Sequence, residues 1–175
     1  MFFVSHRHKD HYNSEIFDWE KEHPNILYIL SDDVEAEPAP NRIFVKPEQK
    51  IRTGELKVEK LRSTDEGVAF LVTCKDKRIY HAGDLNWWHW EEEEEPFNRM
   101  MRRNYQREID KLDHMEIDAA FVPVDPRLGE QYCWGLDYFM RQTRTKMYFR
   151  CIFGENMKFL TGWIRRRVPK HIGNV

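Results

Sequence analysis

Directly behind the apolar run Phe2-Phe3-Val4, the segment Ser5-His6-Arg7-His8-Lys9-Asp10-His11 sets three imidazoles and a carboxylate within six residues. The apolar run reads as the end of a buried strand, and the chain must turn as it leaves it. On an extended backbone His6 and His8 lie two apart and project to one side. Asp10 and His11 then fall on the following turn and reach a second point a few ångströms away. Two ligand pairs offset by a turn suit two cations better than one. The competing reading is a run of surface histidines on a polar loop. The whole chain of 175 residues holds only 8 histidines, so three in one window after a strand favour metal ligation, for which imidazole and carboxylate are the usual donors.

A second segment supplies the rest of a site. Arg78-Ile79-Tyr80-His81-Ala82-Gly83-Asp84 reads as a short strand ending in Ala-Gly-Asp. The small residues let the backbone come close, and Asp84 stands at the strand end, where a carboxylate can bridge two cations. His81 faces the other way from Tyr80 and Ala82 on a regular strand, which leaves its role open.

Together these two motifs resemble the metal motifs of the metallo-β-lactamase-fold hydrolases. The wording Tyr80-His81-Ala82-Gly83-Asp84 is closest to the bacterial branch that includes ascorbate-6-phosphate lactonase-like proteins. The resemblance runs from Phe2 to about Tyr138 and implies an α/β fold, an αββα sandwich. It implies two Zn²⁺ ions, or Mn²⁺, with His6 and His8 on the first, Asp10 and His11 on the second, and Asp84 on both. A metal-activated water would then attack an ester, lactone or phosphodiester of a small-molecule substrate, with Asp10 also steering the proton. The superfamily spans many chemistries, so the motif implies a site and a reaction type, not a substrate.

Two departures from that pattern shape the expectations. Hydrolases of this fold begin with strands and a hairpin before the first motif, which here starts almost at Met1, so the sandwich is expected to be incomplete with an unpaired sheet edge. They also carry a histidine between the two motifs and another near the C-terminus. At the first place the chain reads Leu61-Arg62-Ser63-Thr64-Asp65-Glu66-Gly67, where Asp65 either substitutes as an oxygen ligand or belongs to a plain turn. Near the C-terminus only His171 is available. A weakened catalyst follows, and a metal- or ligand-binding module is the alternative.

The remaining chain reads as alternating elements. Ser14 to His23 is expected to be a short amphipathic helix capped by Asn13 or Ser14 and stopped by Pro24. Ile26 to Leu30, Arg42 to Val45, Glu55 to Leu61, Val68 to Cys74 and Arg78 to Ala82 read as strands, the last two joined by a hairpin at Lys75-Asp76-Lys77. Phe97, Met101, Tyr105, Ile109 and Leu112 recur at helical spacing, and Pro96 behind five glutamates marks that helix's start. Ile117 to Val124 is a further buried strand. At its end Asp125 and Arg127 either orient an anionic substrate or form an Asp-Pro turn. Trp87-Trp88-His89-Trp90 either walls a pocket or packs under a loop.

Charge and cysteines bound the remaining classes. A net charge of −2 argues against general affinity for polyanions, although from Arg141 onward nine Lys or Arg residues face one acid, Glu155. That basic segment, 141–175, is set apart from a domain spanning 1–140. Its Arg165-Arg166-Arg167 and Lys170 form a nucleic-acid or phosphate patch, or else sequence from a shifted reading frame. Cys74, Cys133 and Cys151 are scattered and odd in number, as in a reducing compartment, and no apolar run could span a bilayer. The cytoplasm is the expected location.

Overall fold

The computed structural model describes residues 1–152. Two sheets pack face to face. The smaller is parallel, in the order β1 (Phe2–Val4), β2 (Tyr28–Ser31), β3 (Arg42–Val45). The larger has six strands in sequence order: β4 (Lys50–Thr53), β5 (Leu56–Arg62), β6 (Val68–Cys74), β7 (Lys77–His81), β8 (Glu116–Val124) and β9 (Arg144–Ile152). Its first four strands form an antiparallel meander, while β7, β8 and β9 run parallel. The crossovers between those three contain α1 (Glu95–Asp110) and α2 (Trp134–Gln142).

Alternation along the strands builds the layers. Val58, Val68 and Phe70 meet Ile29, Val45 and Phe3 between the sheets. The opposite face of the large sheet, through Leu61, Leu71, Tyr80 and Val122, packs on Tyr105 and Ile109 of α1 and Leu136 and Phe139 of α2. On the far side of the small sheet, Tyr28 and Leu30 carry Ile16 and Phe17 of a helical segment. The arrangement is an αββα sandwich with one sheet short. Each large apolar side chain fully buried here contributes about 1.5–3 kcal/mol. Among the described residues no helix is long and apolar enough to cross a membrane.

Several expectations change in detail. Ser14–Lys21 is a 3₁₀ helix, capped by the Asn13 side chain accepting from Glu15 N–H at 3.0 Å. Eight residues make too few i→i+4 bonds to offset helix nucleation, and while Ile16 and Phe17 dock on the sheet, Trp19 meets the edge of Phe2 and stays exposed. Strand β4 was not expected; its signal was the alternation Ile51, Thr53 before a turn at Gly54, where φ is +55°. The β6–β7 turn holds two residues, Lys75 and Asp76, because the ladder closes at Cys74 and Lys77. Beyond residue 140 the chain supplies β9, which pairs with β8 along its length. Lys146 in β9 is bound to Asp118 at 2.8 Å and Arg141 to Asp137 at 2.9 Å, so neither is an uncommitted charge. Glu155, Arg165, Arg166, Arg167, Lys170 and His171 lie outside the described residues.

One seam joins the two sheets at the strand ends. Ser5, just past β1, accepts a backbone hydrogen bond from Val68 N–H of β6 at 2.9 Å. Two glycines with positive φ close on it. A Cβ on Gly67 (φ +70°) would fall 1.9 Å from the Ser5 carbonyl oxygen, and one on Gly83 (φ +54°) 2.7 Å from Ser5 Cβ. Gly54 has a similar φ but open space around it. Gly67→Ala is therefore expected to lose about 2–4 kcal/mol, combining left-handed strain with a backbone clash, whereas Gly54→Ala should lose only about 1 kcal/mol. Urea denaturation of both variants checks this; equal losses would remove the seam as the cause.

Candidate metal centre

The strand ends at this seam deliver the polar residues. β1 leads into the histidine loop, β7 into Gly83 and Asp84, and β5 into the loop 63–67. A tight turn in the first loop, with His11 N–H and Tyr12 N–H both donating to the His8 carbonyl at 2.9 and 2.8 Å, folds His11 back over His6. Their ring centroids are 4.1 Å apart, and His8 stands edge-on to His6 at 4.7 Å.

Asp84 is the common point. Its Oδ2 lies 3.1 Å from His6 Nε2 and its Oδ1 3.2 Å from His11 Nε2. His6, His11 and Asp84 form one set of ligand atoms all within 4.8 Å of one another, and His8, Asp65 and Asp84 form a second. One carboxylate is thus shared by two three-residue sets. The expected division of His6 with His8, and Asp10 with His11, is not the one the turn produces. Asp10 belongs to neither set; its exposed carboxylate is 3.6 Å from His11 Nε2.

Neighbouring groups hold the ligands in place, and the sequence reading passed over most of them. Ser5 Oγ lies 3.0 Å from His6 Nδ1 and 3.5 Å from His11 Nδ1, which turns both Nε2 atoms toward Asp84. Thr64 Oγ1 donates to the Asn86 carbonyl at 2.6 Å and accepts from Asn86 N–H at 3.0 Å, clipping the Asp65 loop to the Asp84 loop. Ser63 Oγ accepts from Asp65 N–H at 3.1 Å, the turn that was one reading of this segment, and the Asp65 carboxylate lies among the candidate ligand atoms with His8 and Asp84. Arg7 grips Glu66 through Nε and Nη2 at 3.0 and 3.1 Å, joining the two loops from outside. Ser5 sits inside the motif itself and was legible there; Thr64 and Glu66 have no local signal.

Charge at the centre is in tension. Burial alone would raise Asp84, but contact with His11 and then His6, and their charge, hold it well below the usual carboxylate range. Asp65 is raised, by burial first and then by the like charge of Asp84. His11 is shifted up, its burial outweighed by Asp84. Burial first, then His11, lowers His81 to about 4; its Nδ1 accepts from Gly83 N–H at 3.0 Å, so it is a neutral support for the Gly83 turn. Burial, then Asp84, raises the Cys151 thiol.

These residues fit a divalent cation. Buried His6 Nε2 and Asp84 Oδ1 have no aligned hydrogen-bond partner, despite the short distances between imidazole and carboxylate. Unpaired buried polar atoms are costly. A cation between nitrogen lone pairs and carboxylate oxygens would satisfy them and relieve the repulsion of Asp65 and Asp84.

The surrounding aromatic residues divide their roles. Trp87 packs on Trp134, Tyr105 and Tyr138 as part of the core. Trp88 donates its indole N–H to the Asp84 carbonyl at 3.0 Å and stacks on Trp90, centroids 6.1 Å apart. Asp125 is fully buried, caps the 3₁₀ helix Pro126–Gln131 by accepting from Arg127 N–H, and pairs with the Arg127 side chain.

No protein-family model matches the chain, and no curated protein matches it. Among solved structures it is similar to CmlA, a diiron β-hydroxylase from Streptomyces venezuelae, at 13% identity and a TM-score of 0.47 over 78% of this chain and 27% of that one. It is also similar to the metallo-β-lactamase fold protein YhfI from Bacillus subtilis, at 14% identity and a TM-score of 0.44 over 70% of this chain and 49% of that one. The chain therefore spans less than half the length of each. At these TM-scores the chemistry of the centre rests on its own residues.

Protons and cations compete for this centre, and the two states should respond oppositely to pH. His11 has a raised pKa in the fold, so in metal-free protein its contribution to stability is complete below the unfolded value near 6.5 and is lost as pH rises through the folded value. Metal binding needs neutral imidazole and so strengthens as pH rises. Melting curves of metal-free and zinc-supplemented protein between about pH 5 and pH 8 should show the gap widening with pH. A constant gap would mean that His11 does not exchange a proton for the ion.

Proposed function

We propose that the chain is a metal-dependent hydrolase of the metallo-β-lactamase fold, acting on an ester, lactone or phosphodiester of a small molecule. The observation that carries this reading is the Asp84 carboxylate shared between two ligand sets, the requirement for two adjacent cations. The motif resemblance supports it independently. A lactone, as in the ascorbate-6-phosphate lactonase-like branch, is the substrate form closest to that resemblance.

The residues divide the work. His6, His11 and Asp84 would hold one ion, and their two imidazoles suit zinc. His8, Asp65 and Asp84 would hold the other, and a set with two carboxylates tilts preference toward manganese. Bound there, the ions would lower the pKa of a water to within reach of neutral pH and polarise the oxygen that gains charge. Ser5 fixes the histidine rings, and Thr64 fixes Asp65 relative to Asp84. Asp10, exposed at the rim beside His11, would accept the proton released by the attacking water.

The test is hydrolysis of a lactone, a carboxylic ester and a phosphodiester by metal-free, zinc-loaded and manganese-loaded protein. Activity toward at least one should require metal and fall by about 10²-fold or more in Asp84→Asn, which keeps the shape but removes the shared charge. Asp10→Asn should lower turnover with metal content unchanged. Turnover by metal-free protein equal to that of loaded protein would overturn the assignment.

A further inference from the structure

Arg127 follows the C-terminal end of β8, at the sheet edge where the parallel neighbour β7 delivers Asp84, and takes no part in the ligand sets. Its guanidinium is fixed from two sides. Fully buried Asp125 accepts from Arg127 Nε at 2.9 Å and from Nη2, and the Trp90 ring lies beneath it, 5.6 Å from the guanidinium carbon. Trp90 is itself anchored. Buried Asn98 of α1 accepts from Trp90 N–H at 3.0 Å and donates to the Trp90 carbonyl at 2.8 Å. Trp90 stacks on Trp88, whose indole donates to the Asp84 carbonyl. A continuous packed path thus runs from Arg127 to the backbone of Asp84. Arg127 also feels the charges of Asp10 and Asp84, while its ion pair is with Asp125.

The way Asp125 holds this arginine decides what remains available. A guanidinium offers five N–H groups in a planar fork. Asp125 takes the side made by Nε and one N–H of Nη2. The end made by Nη1 and the second N–H of Nη2 has no partner among the described residues, and the side chain is 61% exposed. That end is a two-pronged donor matched to a pair of coplanar oxygens. Buried Asp125 prevents the fork from swinging away, which gives it little entropy to lose on binding.

We propose that Arg127, on its Trp90 and Asp125 mount, is the subsite for an anionic group of the substrate, a carboxylate or phosphate monoester carried on the molecule whose ester or lactone reaches the metal centre. The substrate class narrows accordingly to organic anions. This builds on the hydrolase reading, but binding of the anion to Arg127 requires neither metal nor turnover.

The experiment uses the full chain without metal, so that no ion can capture the probe. Monomethyl succinate, methyl phosphate and uncharged dimethyl succinate are titrated in, followed by calorimetry and tryptophan fluorescence. At least one of the two anions should bind saturably, and which one does so separates carboxylate from phosphate; dimethyl succinate should not bind. Arg127→Lys, which keeps a cation beside Asp125 and hence the fold, should weaken binding by about tenfold or more because the fork is gone. Zinc uptake by the same variant should match the unaltered chain. Equal affinity in Arg127→Lys, equal binding of dimethyl succinate, no binding of either anion, or an equal loss in His6→Ala would each overturn the proposal. If zinc is not taken up by the unaltered chain, the hydrolase reading fails while the anion result still stands or falls alone.

Discussion

The backbone of Ser5 is the point on which the rest of the centre depends. Its carbonyl is held by Val68 N–H at 2.9 Å, and Gly67 and Gly83 press on it so closely that neither tolerates a Cβ. That contact joins the small parallel sheet to the large mixed one at the strand ends. It also sets where the next six residues begin, and the turn at His8 then returns His11 to His6. The Ser5 side chain, at the same point, meets the Nδ1 atoms of His6 and His11. A single residue therefore fixes both the origin of the loop and the facing of its rings, as outer partners of metal-ligating histidines commonly do.

The cost of this geometry is concentrated charge. Asp84 is 5% exposed with Asp65 and three imidazoles around it. A proton on His11 offsets part of that charge, which is why His11 is raised and Asp84 lowered together. The compensation is imperfect, since buried His6 Nε2 and Asp84 Oδ1 keep no aligned partner. Sites arranged this way trade stability of the empty fold for affinity toward a cation. The neutral His81 behind Gly83 adds no further charge to the problem.

Around the centre, the α-helical layer does more than cover the sheet. Asn98 of α1 brackets Trp90, while Tyr105 of the same helix donates to the Gly135 carbonyl of α2 at 2.6 Å. The crossover between β7 and α1 is thus fastened at both its ends, by Trp88 to Asp84 and by Trp90 to Asn98. β7, β8 and β9 run parallel, so their C-terminal ends all open on the same edge as the histidine loop. That edge is where layered α/β folds collect their functional groups.

The sequence by itself determined the elements with strong periodicity and the donor groups of the candidate centre. Val68 to Cys74, Ile117 to Val124 and the Phe97 to Leu112 stripe carry their patterns in consecutive residues, and His6, His8, His11 and Asp84 are chemically conspicuous. β4 was missed because four residues with two exposed charged positions barely register, and Ser14–Lys21 became a 3₁₀ helix because docking on the small sheet, not propensity, holds it. Only the tertiary structure decided which histidine shares which partner. A one-dimensional spacing pairs His8 with His6, but the hydrogen bonds to the His8 carbonyl also fold His11 against His6, and it is His11 that shares the Asp84 carboxylate with it. Likewise Asp65 reaches Asp84 across 18 intervening positions through Thr64, and Arg127 gains its fixed fork from Asp125 and Trp90. Such choices depend on contacts between strand ends far apart in the chain, which no local pattern of residues encodes.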